Sequence, residues 1–176
     1  GCEIPARVFN PTHVNRRKAL FDEAVTLAAK GCYIDLTAFP VEDGEDAWSA
    51  TEGLQRYLAS GAPADRVTIS SDAGGCLPCF DAEGRVSSMN VGHSGALLET
   101  LRALVDGGMP LETALPAFTA NPARLLRLAR KGRVEAGADA DLVALDATGG
   151  AHTVIIRGEI HVRDGRAVRR GTFENR

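Results

Sequence analysis

The 176-residue sequence has no apolar stretch long enough to span a bilayer and no leader pattern at its start, so neither a membrane partner nor export is expected. It has little net charge. A balance of −3 is too weak a field to argue for nucleic acid or a membrane surface as partner. It is also poor in thiols: Cys2 and Cys32 are isolated, and Cys76-Leu77-Pro78-Cys79 is the one CxxC. Without a second CxxC there is no four-thiolate zinc site. A redox pair should open a helix directly after a strand, but Asp72 and two glycines intervene. Reduced thiols in a cytosolic loop are the plain reading, and the cytoplasm the expected setting. The length suits one core, alone or with a small appendage. Opening on Gly1 and running at once into a strand-like segment suggests a piece of something longer.

What the sequence does carry is a pair of strand ends. Val67-Thr68-Ile69-Ser70-Ser71-Asp72-Ala73-Gly74-Gly75 is a β-branched run ending in a carboxylate and then glycine. This is the pattern of a buried strand that delivers an acid at its carboxyl end, with a loop open to close approach. Upstream, Arg7-Val8-Phe9-Asn10-Pro11-Thr12-His13-Val14-Asn15-Arg16 carries His13 out of an extended segment. A histidine and an aspartate at two strand ends form half of a metal-dependent hydrolase site, and in (β/α) barrels catalytic groups occupy such ends. Arg16, three residues past His13, can offer a planar fork to a carboxylate.

Helical spacing of Leu20, Ala24, Leu27 and Ala28 predicts a helix over 15–31, capped by Asn15 and stopped by Gly31. Residues 32–37 read as a strand, followed by a solvated acidic loop from Glu42 to Asp46. Ser49-Ala50-Thr51-Glu52 is a capping box opening a helix that ends at Gly61. After the strand at 67–71 comes a long loop, then a helix over 94–106, then a helix opened by Asn121-Pro122. Alternating strands and helices imply a parallel α/β architecture, and three such units cannot close a barrel by themselves. From Gly132 onward, short strands separated by glycine and Asp-Gly turns indicate antiparallel β structure.

The stretch from Gly132 to Leu145, with Gly137-Ala138-Asp139-Ala140-Asp141-Leu142-Val143 at its centre, resembles the C-terminal end of amidohydrolase-superfamily enzymes, as do Arg157-Gly158 and Arg163-Asp164-Gly165. Pro11-Thr12-His13-Val14-Asn15-Arg16 and Ser70-Ser71-Asp72 narrow the resemblance to the isoaspartyl dipeptidase family; Lys131-Gly132 and Gly171-Thr172-Phe173-Glu174 also fit. The resemblance spans essentially the whole chain but only the second half of such an enzyme. It implies the C-terminal part of a (β/α)8 TIM barrel, about strands six to eight, over residues 1–132. Part of a small β-sandwich domain would follow over 133–176. It also implies two zinc ions bridged by a hydroxide and by a carboxylated lysine outside this chain, in an enzyme that is a cytoplasmic homo-oligomer when complete. His13 would bind one zinc; Asp72 would bind the other and shuttle the proton. Arg16 would hold the carboxylate of a β-aspartyl dipeptide substrate. Cys76 stands where the family commonly presents a substrate-contacting serine, and a thiol is a weaker donor. The remaining ligands, a His-x-His pair, the lysine and another histidine, would precede Gly1; the chain's other histidines are His93, His152 and His161.

Plainer roles fit the same residues: Asp72 as a turn former, Arg16 as a solvated first-turn residue beside Arg17 and Lys18, Cys76 and His93 as loop residues. The alternatives at the level of function are another amidohydrolase, such as a cyclic-amide hydrolase or N-acyl-amino-acid deacylase, and a non-catalytic fragment or assembly module.

Overall fold

The computed structural model describes residues 3–81 and 83–171, so Cys2 and the Thr172-Phe173-Glu174 string lie outside the described residues. Among the described residues no helix is long and apolar enough to cross a membrane. Three runs of chain lie side by side at the centre. Strands β1 (Ile34–Thr37) and β2 (Val67–Ser70) pair in parallel, with Ile34 opposite Val67 and Thr37 opposite Ser70. The Phe9 and Pro11 carbonyls accept from the Tyr33 and Asp35 amides at 3.1 and 3.0 Å, while the Ala38 amide reaches the Ser70 carbonyl at 2.8 Å. Successive amides of a strand point to opposite edges, so β1 is the middle run. Pro11 has no N–H to return, which is why the segment leading to His13 is extended without becoming a full ladder strand.

Helix α1 (Lys18–Ala29) precedes β1, and α2 (Ala50–Ala59) connects β1 to β2. The Ser49 hydroxyl accepts from the Glu52 amide and the Glu52 carboxylate accepts from the Ser49 amide, the capping box expected from the sequence. Ile34, Leu36, Val67 and Ile69 occupy one face of the sheet and join Phe21, Ala24, Leu54, Tyr57 and Leu104 in the core. Each buried Val, Ile, Leu or Phe side chain among these contributes about 1.5–3 kcal/mol.

The long loop expected after Asp72 is instead a hairpin of β3 (Cys76–Phe80) and β4 (Val86–Val91), antiparallel with a bulge between Cys79 and Phe80. Its strand signal is weak because Pro78 interrupts β3 and Ser87, Ser88 and Asn90 dilute β4, both tolerable in a two-stranded ribbon with free edges. Helices α3 (Ala96–Asp106), α4 (Leu111–Ala114) and α5 (Ala120–Leu125) follow. Strands β5 (Leu142–Leu145), β6 (Ala151–Ile156), β7 (Glu159–Arg163) and β8 (Arg166–Ala167) then form an antiparallel sheet in chain order.

Several expected boundaries move, and for Asn15 and Asn121 the side chain is used elsewhere. Asn15 does not cap α1, which starts at Lys18 after Arg17. Fully buried, Asn15 donates to the Thr37 and Trp48 carbonyls at 3.0 and 2.8 Å and accepts from the Thr37 amide at 2.8 Å. The buried stripe of α1 is Phe21, Ala24 and Ala28, whereas Leu20 and Leu27 are exposed. Asn121 lies inside α5 rather than capping it, and its amide donates to the Ala64 and Val67 carbonyls, both at 2.8 Å. The strands begin or end a residue or two inside their expected limits, and α3 begins at Ala96 rather than Ser94.

Candidate active site

His13 ends the extended run in a left-handed conformation, φ 57°, and a 3-10 turn over Val14–Arg16 follows it. Its Nδ1 lies 2.6 Å from the Thr37 hydroxyl on β1. That bond fixes the ring and leaves Nε2 as the nitrogen for a ligand. Asp72, two residues past β2, is also left-handed, φ 48°. Positive φ is unfavourable for a residue with a Cβ, so a functional reading of both positions accords with where such strain collects.

The loop makes a seat for Asp72. The Gly75 amide donates to the Asp72 carbonyl at 2.8 Å, and a Cβ on Gly75 would stand 2.6 Å from Oδ1 and 2.8 Å from Oδ2 of that carboxylate. A Cβ on Gly92, at the far end of the hairpin, would stand 2.2 Å from the Asp72 carbonyl oxygen. These glycines are required by close approach, not by an unusual φ. The Gly74 amide to the Gly92 carbonyl and the Gly92 amide to the Gly75 carbonyl, at 2.8 and 3.0 Å, close the hairpin base beneath the acid.

Arg16 is partly buried, with its guanidinium carbon 5.2 Å from the centre of the Phe39 ring. Its Nε is buried and has no hydrogen-bond partner among the described residues. A buried guanidinium N–H left unpaired is costly, and a ligand carboxylate would satisfy it. Cys76 opens β3 and is exposed, while Cys79 is buried and accepts from the Asn90 amide at 3.3 Å. Residues three apart on a strand face opposite sides, so the two thiols do not form a redox pair. Among the described residues Cys76 makes no hydrogen bond to His13, Arg16 or Asp72.

One site residue escaped the sequence reading. Asp35, 5% exposed on β1, accepts from the Thr68 and Ser70 hydroxyls at 2.6 and 2.5 Å. Burial pushes its carboxyl above the usual range; the two hydroxyls and His13 oppose that, and Asp72 adds to it. A lone acid between Ile34 and Leu36 was the available signal.

Whether these residues suit a metal ion can be judged from their donors. His13 Nε2 and the Asp72 carboxylate are metal-ligating groups, and neither enters an ion pair among the described residues. They fit part of a ligand set. No group of three or more His, Cys, Asp or Glu side chains is gathered for a metal among the described residues. His93 faces Glu99 at 3.6 Å and His152 faces Asp164 at 3.3 Å, both exposed; His161 lies on β7.

The amidohydrolase family profile matches residues 4–161, nearly all of the chain. The chain belongs to the amidohydrolase family. Its structure is similar to a β-aspartyl dipeptidase of Fervidobacterium islandicum AW-1 in complex with a β-Asp-Leu dipeptide, at a TM-score of 0.85 and 35% identity. That similarity covers 98% of this chain and 44% of the dipeptidase. An N-acetylglucosamine-6-phosphate deacetylase of Pasteurella multocida shares the fold at a TM-score of 0.53 and 16% identity, over 88% of this chain and 50% of that one. In sequence, a deacetylase of Agrobacterium fabrum is 27% identical over 149 residues, 76% of this chain and 36% of the deacetylase. The chain therefore spans less than half the length of the dipeptidase and of the Agrobacterium deacetylase.

Proposed function

We propose that this amidohydrolase chain contributes to zinc-dependent hydrolysis of β-aspartyl dipeptides. Residues 1–132 would supply strands six to eight of an eight-stranded barrel, and 133–176 part of a β-sandwich. The observation that carries the substrate class is Arg16, three residues past His13, whose buried Nε has no hydrogen-bond partner among the described residues. A guanidinium over the Phe39 ring, at 5.2 Å from its centre, suits one carboxylate of a β-aspartyl dipeptide. The 35% identical dipeptidase, described with β-Asp-Leu, supports the same class.

His13, through Nε2, and Asp72 would each hold one of two zinc ions, with the other ligands coming from chain beyond these residues. Bound zinc supplies Lewis acidity to the scissile carbonyl and acidifies water. Water adds to the β-carbonyl carbon, the C–N bond breaks, and an Asp72 carboxylate oxygen carries the proton lost by water to the departing amine. Arg16 holds the aspartyl end still while this happens. Cys76 would stand beside the substrate as a weak donor. The complete enzyme would be a cytoplasmic homo-oligomer.

The deacetylase similarity favours a second reading, removal of an N-acyl group as in an N-acyl-amino-acid deacylase. Zinc analysis and turnover of β-Asp-Leu against N-acetyl substrates by the full-length enzyme separate the two. Efficient deacetylation without β-Asp-Leu cleavage would overturn the dipeptidase reading.

A further inference from the structure

β1 is covered on both faces, and such strands ordinarily read as continuous Val, Ile and Leu. Ile34 and Leu36 obey this, but Asp35 and Thr37 put a carboxylate and a hydroxyl on the opposite face. Asp35 enters no ion pair among the described residues, so its burial is not offset by a paired cation there. It does make two geometrically specific contacts. From the one face of the central run, Thr37 reaches His13 on one side at 2.6 Å and Asp35 reaches Thr68 and Ser70 on the other at 2.6 and 2.5 Å. Thr68 and Ser70 are alternate residues of β2, and Ser70 stands two residues before Asp72. The Ser70 carbonyl is held as well, by the Ala38 amide. The last residue of β2 is thereby tied to β1 through both main chain and side chain.

We propose that Asp35 is a positioning residue: by accepting from the Thr68 and Ser70 hydroxyls it fixes the end of β2 against β1, and so sets where Asp72 stands relative to His13. The inference rests on the reading of His13 and Asp72 as the reacting pair. Thr37 and Asp35 act together as a spacer, one for each arm of the site. The two carboxylate oxygens let both hydroxyls donate at once, which an aliphatic residue cannot accommodate.

The test compares Asp35→Ala, Asp35→Asn and Ser70→Ala in the zinc-loaded full-length enzyme and in the same proteins stripped of metal. Asp35→Ala should lower kcat on β-Asp-Leu about 10- to 100-fold while KM, set on the Arg16 side, changes by less than about twofold. Ser70→Ala should lower kcat by a smaller factor. Asp35→Asn should recover most of it, because the amide accepts from one hydroxyl and donates to the other. In the metal-free proteins, amide exchange at Gly74 and Gly75 should quicken in Asp35→Ala and Ser70→Ala, while β6 and β7 keep wild-type protection. Equal loss of kcat in the Asn and Ala variants would show that charge rather than placement matters, and would overturn the proposal. Should Asp35→Ala fail to fold, wild-type kcat and exchange in Ser70→Ala would overturn it as well. A wild-type enzyme without zinc or β-aspartyl turnover would instead refute the functional reading, and the metal-free exchange comparison would still decide whether Asp35 places Asp72.

Discussion

Replacing Arg16 by lysine separates recognition of a substrate carboxylate from the chemistry. The guanidinium carbon stands 5.2 Å from the centre of the Phe39 ring, and its buried Nε has no hydrogen-bond partner among the described residues. Lysine keeps the charge but has neither the planar fork nor the same stacking. Truncating one member of a buried charged pair costs about 2–5 kcal/mol. Because the charge survives, the lower part of that range applies: about 2–3 kcal/mol, or roughly a 30- to 150-fold fall in kcat/KM. The assay is kcat/KM for β-Asp-Leu beside a neutral amide without the aspartyl carboxylate, in full-length enzyme with zinc content measured on each sample. The loss should be confined to the charged substrate, with zinc content unchanged. An equal fall on the neutral amide would make Arg16 a structural residue and remove the best support for the dipeptidase reading.

Asn15→Ala removes three hydrogen bonds and leaves the buried Thr37 amide unsatisfied, so a denaturant melt should show a loss of about 2–4 kcal/mol. Asp35 gives a pH dependence whose sign follows from burial. Its folded pKa is raised above the ordinary 3.8, so the folded state holds the proton longer than the unfolded one. Its contribution is fully present below that ordinary value and is lost as pH rises through the raised one. The stability difference between wild type and Asp35→Asn should therefore shift against wild type across that window, and a flat difference would contradict the burial argument. The 176-residue chain by itself should bind zinc weakly and fail to turn over β-Asp-Leu, since His13 and Asp72 are fewer donors than a catalytic zinc usually takes; tightly bound stoichiometric zinc with turnover would refute this.

What was legible in the sequence was local. The capping box at Ser49 and Glu52 is written in residues three apart, and its hydrogen bonds need nothing from the rest of the fold. The parallel pairing of β1 and β2 follows from two short apolar strands joined through a helix. His13 and Asp72 could be singled out because a strand's end and the polar residue that follows it are adjacent in the chain. The stripe of α1 is less legible, since Leu20 and Phe21 both fit helical spacing and only the position of the sheet decides which is covered. The short amides of Asn15 and Asn121 favour helix ends. In the folded chain they bind carbonyls 22, 33, 57 and 54 residues away, a choice no local pattern contains. The same holds for Asp35. The sequence by itself determined which strand ends could carry chemistry, through the alternation of apolar and polar residues along each run. Only the tertiary structure decided that Asp35 and Thr37 bridge those ends, because the hydroxyls and the imidazole they meet come from separate runs of chain, brought within hydrogen-bonding distance by parallel register.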